Sequence, residues 1–421
     1  MATNKPYLSK RGIHSRDYPN FMDEWGLQVL ANPWNKENNP NGFIDFGIAE
    51  NKLCQDLLSE KVNDQDGKIP SDAFYYHEWR GTDTFREAIG KLITRKFKTY
   101  KPVDPENLVV TNGLGAAIDL LSHTIVDPEE YFLAPSPYYY RVTNDSGHRA
   151  QARVWNVDLD SQDGFEMTVE KLEAAYKDAI EHGASVRGMI LINPHNPMGT
   201  IYSKKLVIEI LEFAAKYELH VVMDEIYGMS VFGEGAEFNS VLSLENVPDP
   251  MRTHVLWGFS KDFCLSGFRC GVIHTINDDI KVVLAHLSYF TSVPIIVQNK
   301  LTEIITDDEW LENKYFPTNL KRMKDTFEFI TSKLMDIGVP SMKSEACFFV
   351  WADFSKFLSE QTHEAEMTLF RQFFDAHVYL MPGQALYCKN PGWFRIVFTL
   401  PRPMVEVGVG RIASVLASLK K

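Results

Sequence analysis

Residues 257–271 read W-G-F-S-K-D-F-C-L-S-G-F-R-C-G, and they continue an apolar run, T-H-V-L-W at 253–257. The run reads as a buried strand, which sets Lys261 on the lip of a sheet. A lysine there can form an imine with an aldehyde cofactor. Arg269, later in the same stretch, can hold a phosphate with its forked guanidinium. The competing reading is a polar loop with a solvated lysine and a structural arginine. A motif of this kind needs agreement from the rest of the chain.

Upstream, strand and helix patterns alternate from residue 107. Strands are expected at 108–111, 131–134, 154–157, 188–192 and 219–223, with one more at 270–275 after the lysine strand. Helices are expected between them at 118–126, 168–182 and 203–217, and an amphipathic helix precedes them in the second half of 70–100. The strand at 188–192, G-M-I-L-I, is apolar throughout, as a strand covered on both faces requires. Such alternation predicts an α/β fold with a mainly parallel sheet and polar groups at the strand C-termini. From 277 the pattern changes. Long helices are expected at 278–292 and 308–337, then strands at 347–352, 378–381 and 394–398, with helices at 364–377 and 404–419. This reads as a smaller α+β domain. Residues 1–50 form an arm that contributes to it, with turn chemistry in N-P-N-G at 39–42 and a short strand at 43–48. The expected division is an arm at 1–50, a large domain at 51–300 and a small domain at 301–421.

The chain has 421 residues and a formal net charge of -13 that is spread along its length, which argues against nucleic acid or an anionic membrane as partner. Its five cysteines form no C-x-x-C pair, so neither a disulfide framework nor a zinc site is expected. The first residues lack the apolar run of a signal peptide, and no stretch has the length of a membrane helix. A soluble cytoplasmic protein is the expectation. No G-x-G-x-x-G follows the first strand, which weakens a dehydrogenase reading.

The strand ends carry the chemistry. Asp224 closes the strand of H-V-V-M-D-E-I-Y, where a carboxylate can keep a pyridine nitrogen protonated; a helix N-cap is its other reading. Tyr227 and Asn196, the latter in N-P-H-N-P-M-G-T at 193–200, can donate to a ring oxygen; core contact and an Asx-turn are their alternatives. Arg395 is a charge inside the apolar strand of G-W-F-R-I-V-F, so it needs an anion, either a substrate carboxylate or a structural partner. The small residues N-G-L-G-A-A at 112–117 let backbone N–H groups approach an anion at a helix N-terminus, as a plain tight turn also would. Each group alone favours its bland reading. Four of them with a lysine, in one α/β chain, favour pyridoxal 5′-phosphate.

Those motifs together resemble the class I aminotransferases of pyridoxal phosphate fold type I, the aspartate aminotransferase-like fold. The stretches N-P-N-G-F-I-D-F-G-I-A-E-N-K-L-C at 39–54, P-S-P-Y-Y at 135–139 and N-P-G-W-F-R-I-V-F at 390–398 bring the resemblance closer to 1-aminocyclopropane-1-carboxylate (ACC) synthase. D-P-M-R-T-H-V at 249–255 resembles the ACC synthase-like proteins of animals. The resemblance implies Lys261 as the imine lysine, Asp224 as the pyridine partner, and Tyr227 and Asn196 as ring-oxygen donors. It implies Ser260, Arg269 and the N–H groups of Leu114 and Gly115 as phosphate contacts, and Tyr139 (or Tyr138) stacked on the ring. Arg395 would clamp the substrate carboxylate beside Glu50, in a homodimer with sites at the interface. Two positions depart from the family pattern. Gly258 stands where many members have a phosphate-contacting serine. Trp79, in E-W-R-G, stands where ACC synthases have the tyrosine of D-Y-H-G that reaches the neighbouring subunit's cofactor; Tyr76 is the other candidate for that role. Indole stacks and donates but has no phenol to ionise. The implied activity is that of a lyase or transferase drawing a Cα carbanion from S-adenosylmethionine or a related sulfur-containing amino acid, with γ-elimination or replacement. Aminotransferase and cysteine-conjugate β C–S lyase are the enzymatic alternatives. A non-catalytic binding protein is remote, because Lys261, Asp224 and Arg395 are present.

Overall fold

The computed structural model describes residues 7–19, 22–63 and 69–419; residues 1–6, the first half of the N-terminal stretch that shows no signal-peptide pattern, lie outside them. Twelve strands are named here in chain order. They are β1 (Ile44–Asp45), β2 (Leu108–Thr111), β3 (Tyr131–Ser136), β4 (Arg153–Asp158), β5 (Val186–Ile192), β6 (His220–Asp224), β7 (Thr253–Gly258), β8 (Gly271–His274), β9 (Phe349–Asp353), β10 (Val378–Tyr379), β11 (Met381–Pro382) and β12 (Trp393–Val397). Seven form one sheet in the order β2-β8-β7-β6-β5-β3-β4. The pairs from β4 to β7 are parallel, and only β8 runs against its neighbours. Every residue of β2 and β7 is buried, which is why these segments read as unbroken apolar runs.

The flanking helices begin where short polar side chains cap them. Thr82, Thr168, Ser203 and Thr362 each accept a hydrogen bond from the backbone N–H three residues on, at the starts of Asp83–Lys96, Val169–Glu181, Lys204–Lys216 and His363–Asp375. A second, antiparallel sheet has the order β11-β12-β9, and its buried residues join the same apolar core as β3, β5 and β6. β1 adds the N-terminal segment to this part of the molecule by pairing in parallel with β10, Ile44 opposite Val378. No single described helix is long and apolar enough to cross a membrane.

Several expected elements change. The helix expected at 278–292 ends at Leu287, passes into a 3₁₀ turn at Ser288–Phe290, and a separate helix, Ile295–Ile305, starts after Pro294. Pro294 is the N-cap of the second helix, where its missing N–H breaks no helical hydrogen bond. The strand expected at 378–381 is two strands in two sheets, because Val378–Tyr379 pairs with β1 while Met381 pairs with Arg395 of β12. The arm is partly helical, at Lys10–Asp17 and Asp23–Ala31. Arg141–Gly147, R-V-T-N-D-S-G, is a helix its composition does not announce.

His254 and His195 are fully buried, and burial pushes both down to about 3. His254 hydrogen-bonds Thr275 Oγ1 at 2.9 Å and His220 at 3.0 Å. The unfolded chain binds their protons below about pH 6.5 and the folded chain does not, so stability falls as pH drops from there toward 3. At pH 5 each contributes about 2 kcal/mol of destabilisation. Replacing His254 with asparagine is expected to flatten the loss between pH 7 and 5 by that amount in urea titrations, and an unchanged slope would refute the assignment.

Candidate active site

The C-terminal ends of the parallel strands converge. Asp224 ends β6 and lies opposite Ile192 of β5 and Leu256 of β7. Asn196 follows β5, Tyr139 follows β3, and Ser260 and Lys261 follow β7. Asp224, Asn196, Tyr227, Tyr139, Lys261, Ser260, Arg269, Leu114 and Gly115 line one cavity of about 190 Å³. A second cavity of about 320 Å³ shares Lys261 and Tyr139 and adds Arg395, Glu50, Tyr140 and Tyr379. All the expected cofactor residues therefore meet at the switch edge of the sheet. Tyr138 does not line either cavity: its hydroxyl donates to Asn156 Oδ1 at 3.0 Å and its ring stacks on Tyr387, so Tyr139 is the ring at the site.

Lys261 Nζ donates to the Ala49 carbonyl at 2.5 Å. Burial, helped by the charge of Arg395, pushes its ammonium down to about 8. Burial raises Asp224 to about 7; one hydrogen bond from the Ile226 N–H, at 3.1 Å, and the charge of Lys261 draw it back only in part. A carboxyl so placed gains from any cation set against it. Arg395 is 1 % exposed. It donates from Nη1 to Asn196 Oδ1 at 3.0 Å and from Nη2 to the Gly47 carbonyl at 2.6 Å, while its Nε is buried without a partner. Its guanidinium lies 4.5 Å from the ring centre of Phe349, and no carboxylate among the described residues pairs with it. Glu50 accepts from Ser266 Oγ at 3.0 Å on the cavity rim.

At the other end, Gly113 precedes the helix Leu114–Ile125, whose N-terminus has no side-chain cap. Gly113 has φ +82°, and a Cβ there would meet Arg269 Nη2 at 2.5 Å. The glycine thus clears room for the arginine beside uncapped N–H groups, an arrangement suited to phosphate. At Gly258 more than a hydroxyl is missing. A Cβ there would lie 2.7 Å from Leu114 Cδ1 and 2.8 Å from the Cys270 carbonyl. Gly258→Ser is therefore expected to cost about 1–3 kcal/mol of stability and to weaken phosphate binding, where restoring the family's serine would otherwise strengthen it. A thermal melt with and without cofactor tests this; tighter binding at unchanged stability would refute it.

Tyr76 and Trp79 are not at the cavities of their own chain. Tyr76 is 90 % exposed, and Trp79 packs edge-on to it and to Tyr289. Arg86, fully buried, fixes this loop by donating to the Gly81 carbonyl and pairing with Glu78 on the other side of Trp79. The motif reading missed Asp262, whose carboxylate accepts from Met229 N–H, Ser230 Oγ and Trp257 Nε1 and so anchors the turn that carries Lys261. The signal was an acid between two phenylalanines, F-S-K-D-F. It also missed Arg141 and Asp145 in the cavity wall.

A lysine on a mainly parallel seven-stranded sheet, with a smaller antiparallel sheet beside it, is the aspartate aminotransferase-like fold type I of pyridoxal phosphate enzymes. Aspartate aminotransferase from Thermus thermophilus superposes with a TM-score of 0.79 over 98 % of this chain and 100 % of its own, at 19 % identity. The chain belongs to the class I and II aminotransferase family, whose model matches residues 43–412. It is 38 % identical to 1-aminocyclopropane-1-carboxylate synthase-like protein 1 of Takifugu rubripes, over 98 % of this chain and 68 % of that one. It is 37 % identical to a human protein named probable inactive 1-aminocyclopropane-1-carboxylate synthase-like protein 2, over 98 % of this chain and 74 % of that one. The cofactor of this family is pyridoxal 5′-phosphate, and the residues present fit it: a cation-seeking Asp224, a cradle of glycines with Arg269, and an arginine with an orphaned Nε.

Proposed function

We propose that the chain is an ACC synthase-like enzyme that removes the Cα proton of S-adenosylmethionine or a related sulfur-containing amino acid. γ-Elimination or γ-replacement then follows. The observation that carries this reading is Arg395, buried with no carboxylate partner among the described residues, in the cavity that also holds Lys261. A substrate carboxylate satisfies it as a bidentate partner. Pyridoxal phosphate, when bound, supplies the electron sink for the electrons left at Cα. Lys261 Nζ takes the Cα proton; an amine held near 8 is neutral often enough at neutral pH to act as a base. Asp224 would hold the positive charge of the ring nitrogen. Tyr227 and Asn196 would donate to the ring oxygen, and the oxygen of Asn196 is already engaged by Arg395. Tyr139 would cover the ring. Ser260, Arg269 and the N–H groups of Leu114 and Gly115, which line the same cavity, would hold the phosphate, and Glu50 lines the cavity of Arg395 on the substrate side. A second copy of the chain brings Trp79 or Tyr76 to the site, in a homodimer built from the arm, large domain and small domain described by sequence.

Trp79 supports a second reading. Without the phenol at that position, β C–S lysis or amino transfer starts from the same proton abstraction. Mass-spectrometric product analysis with S-adenosylmethionine separates the two. ACC plus methylthioadenosine supports the first. No turnover, with pyruvate released from cysteine conjugates or amino groups passed to keto acids, overturns it in favour of the second.

A further inference from the structure

Arg141 and Asp145 face the cofactor cavity from the short helix Arg141–Gly147, one turn apart. Arg141 Nη2 donates to Asp145 Oδ1 at 2.9 Å. Asp145 is the more buried partner, its side chain 10 % exposed against 34 % for Arg141. Asp145 also lies against the phosphate end: a Cβ on Gly115 would sit 3.1 Å from its Oδ2. Gly115 belongs to the first turn of Leu114–Ile125, whose N–H groups are free of any side-chain cap. A carboxylate in that wall opposes any dianion held by those N–H groups and Arg269. Like charges that share a partly desolvated cavity repel more strongly than they do in water. Asp119, on the helix Leu114–Ile125, is paired instead with Arg149 at 2.9 Å. Arg141 is therefore the ion-pair partner that neutralises Asp145.

We infer that Arg141 is a positioning residue for the cofactor's phosphate: it cancels the charge of Asp145, so that the cradle presents a net positive face. This rests on the cavity being the cofactor site. An ion pair that served only the fold would be blind to whether the bound aldehyde carries a phosphate.

The test titrates apo-protein with pyridoxal phosphate and with pyridoxal, following visible absorption. In Arg141→Ala the dissociation constant for pyridoxal phosphate is expected to rise about tenfold, the size of one charged interaction. That for pyridoxal is expected to stay the same. In Arg141→Ala/Asp145→Asn the phosphate form should bind within about threefold of the original protein, because the opposing charge is gone. Arg141→Lys, which keeps the charge, should bind like the parent and serves if the alanine variant fails to fold. Equal affinity for pyridoxal phosphate in Arg141→Ala overturns the inference. So does a parallel loss for pyridoxal, and so does a double variant as weak as the single one. If the unaltered protein binds neither aldehyde, the cofactor site itself has been misassigned, a result distinct from all three.

Discussion

Lys261→Ala is expected to abolish the visible absorption that the protein acquires with pyridoxal phosphate and to lower turnover by at least about 10³-fold, within the range general-base catalysis supplies. Two roles fall on one atom. Nζ would tie the cofactor covalently and, sharing a cavity with Arg395, would also serve as the base beside the substrate carboxylate. Among the described residues no other lysine lines either cavity, so none of them takes over. The fold should survive, because the Lys261 side chain makes one hydrogen bond, to the Ala49 carbonyl. Circular dichroism and the melting temperature of the apo-protein are therefore expected to be unchanged. Small exogenous amines should restore part of the turnover by supplying the missing base. A variant that keeps both its absorption and its rate would remove Lys261 from the chemistry, and with it the functional reading. The human relative named as probable inactive makes this experiment pointed: this chain keeps the lysine, the aspartate and the arginine that the proposed chemistry needs.

The sheet was legible because parallel strands are covered on both faces. G-M-I-L-I and the V-L-W of 255–257 have no polar side to show, and their ends are marked by Asn193 and Gly258. The candidate site was legible from number instead: each polar group alone has a structural use, but several of them with a lysine in one chain share only one. Helices held by tertiary contact were not legible. Arg141–Gly147 has poor intrinsic propensity, and it is kept by the Ser146 hydroxyl to the Val142 carbonyl, the Arg141–Asp145 pair and burial of Val142. That is why Arg141 and Asp145 escaped notice although they lie two and six residues from Tyr139. Gly258 shows the converse limit. Its identity predicted a lost hydroxyl, but the space it leaves is closed by Leu114 and the Cys270 carbonyl, which only coordinates reveal. Trp79 is a third case, because a single chain leaves it on an exposed aromatic strip with Tyr76 and Tyr289.

Asp262→Ala is expected to lower unfolding free energy by about 4 kcal/mol, toward the low end of the sum for three stranded donors at about 1–3 kcal/mol each. The carboxylate is wholly buried. It accepts from the Met229 N–H at 3.0 Å, from Trp257 Nε1 at 2.9 Å and from Ser230 Oγ at 2.7 Å. Alanine leaves those donors without an acceptor in an aromatic shell of Trp257, Phe259 and Phe263 that admits no replacement. Asparagine keeps one acceptor oxygen but presents an amide N–H₂ to the remaining donors, so it should recover about half of the loss. Against a domain stability of about 5–15 kcal/mol, the alanine variant stays folded at 25 °C but unfolds at much lower urea. Function follows from the same contacts. Asp262 adjoins Lys261, and its backbone carbonyl accepts from the Tyr315 hydroxyl at 2.9 Å, so the turn is gripped from both sides. Loosening one grip lets Nζ wander, and a 1 Å error at a reacting atom is costly. Cofactor affinity should therefore fall in Asp262→Ala and recover partly in Asp262→Asn, in step with the urea midpoints. A fall in stability with affinity untouched would mean that the Tyr315 contact alone positions the lysine, and Tyr315→Phe would then be the variant that loses the cofactor.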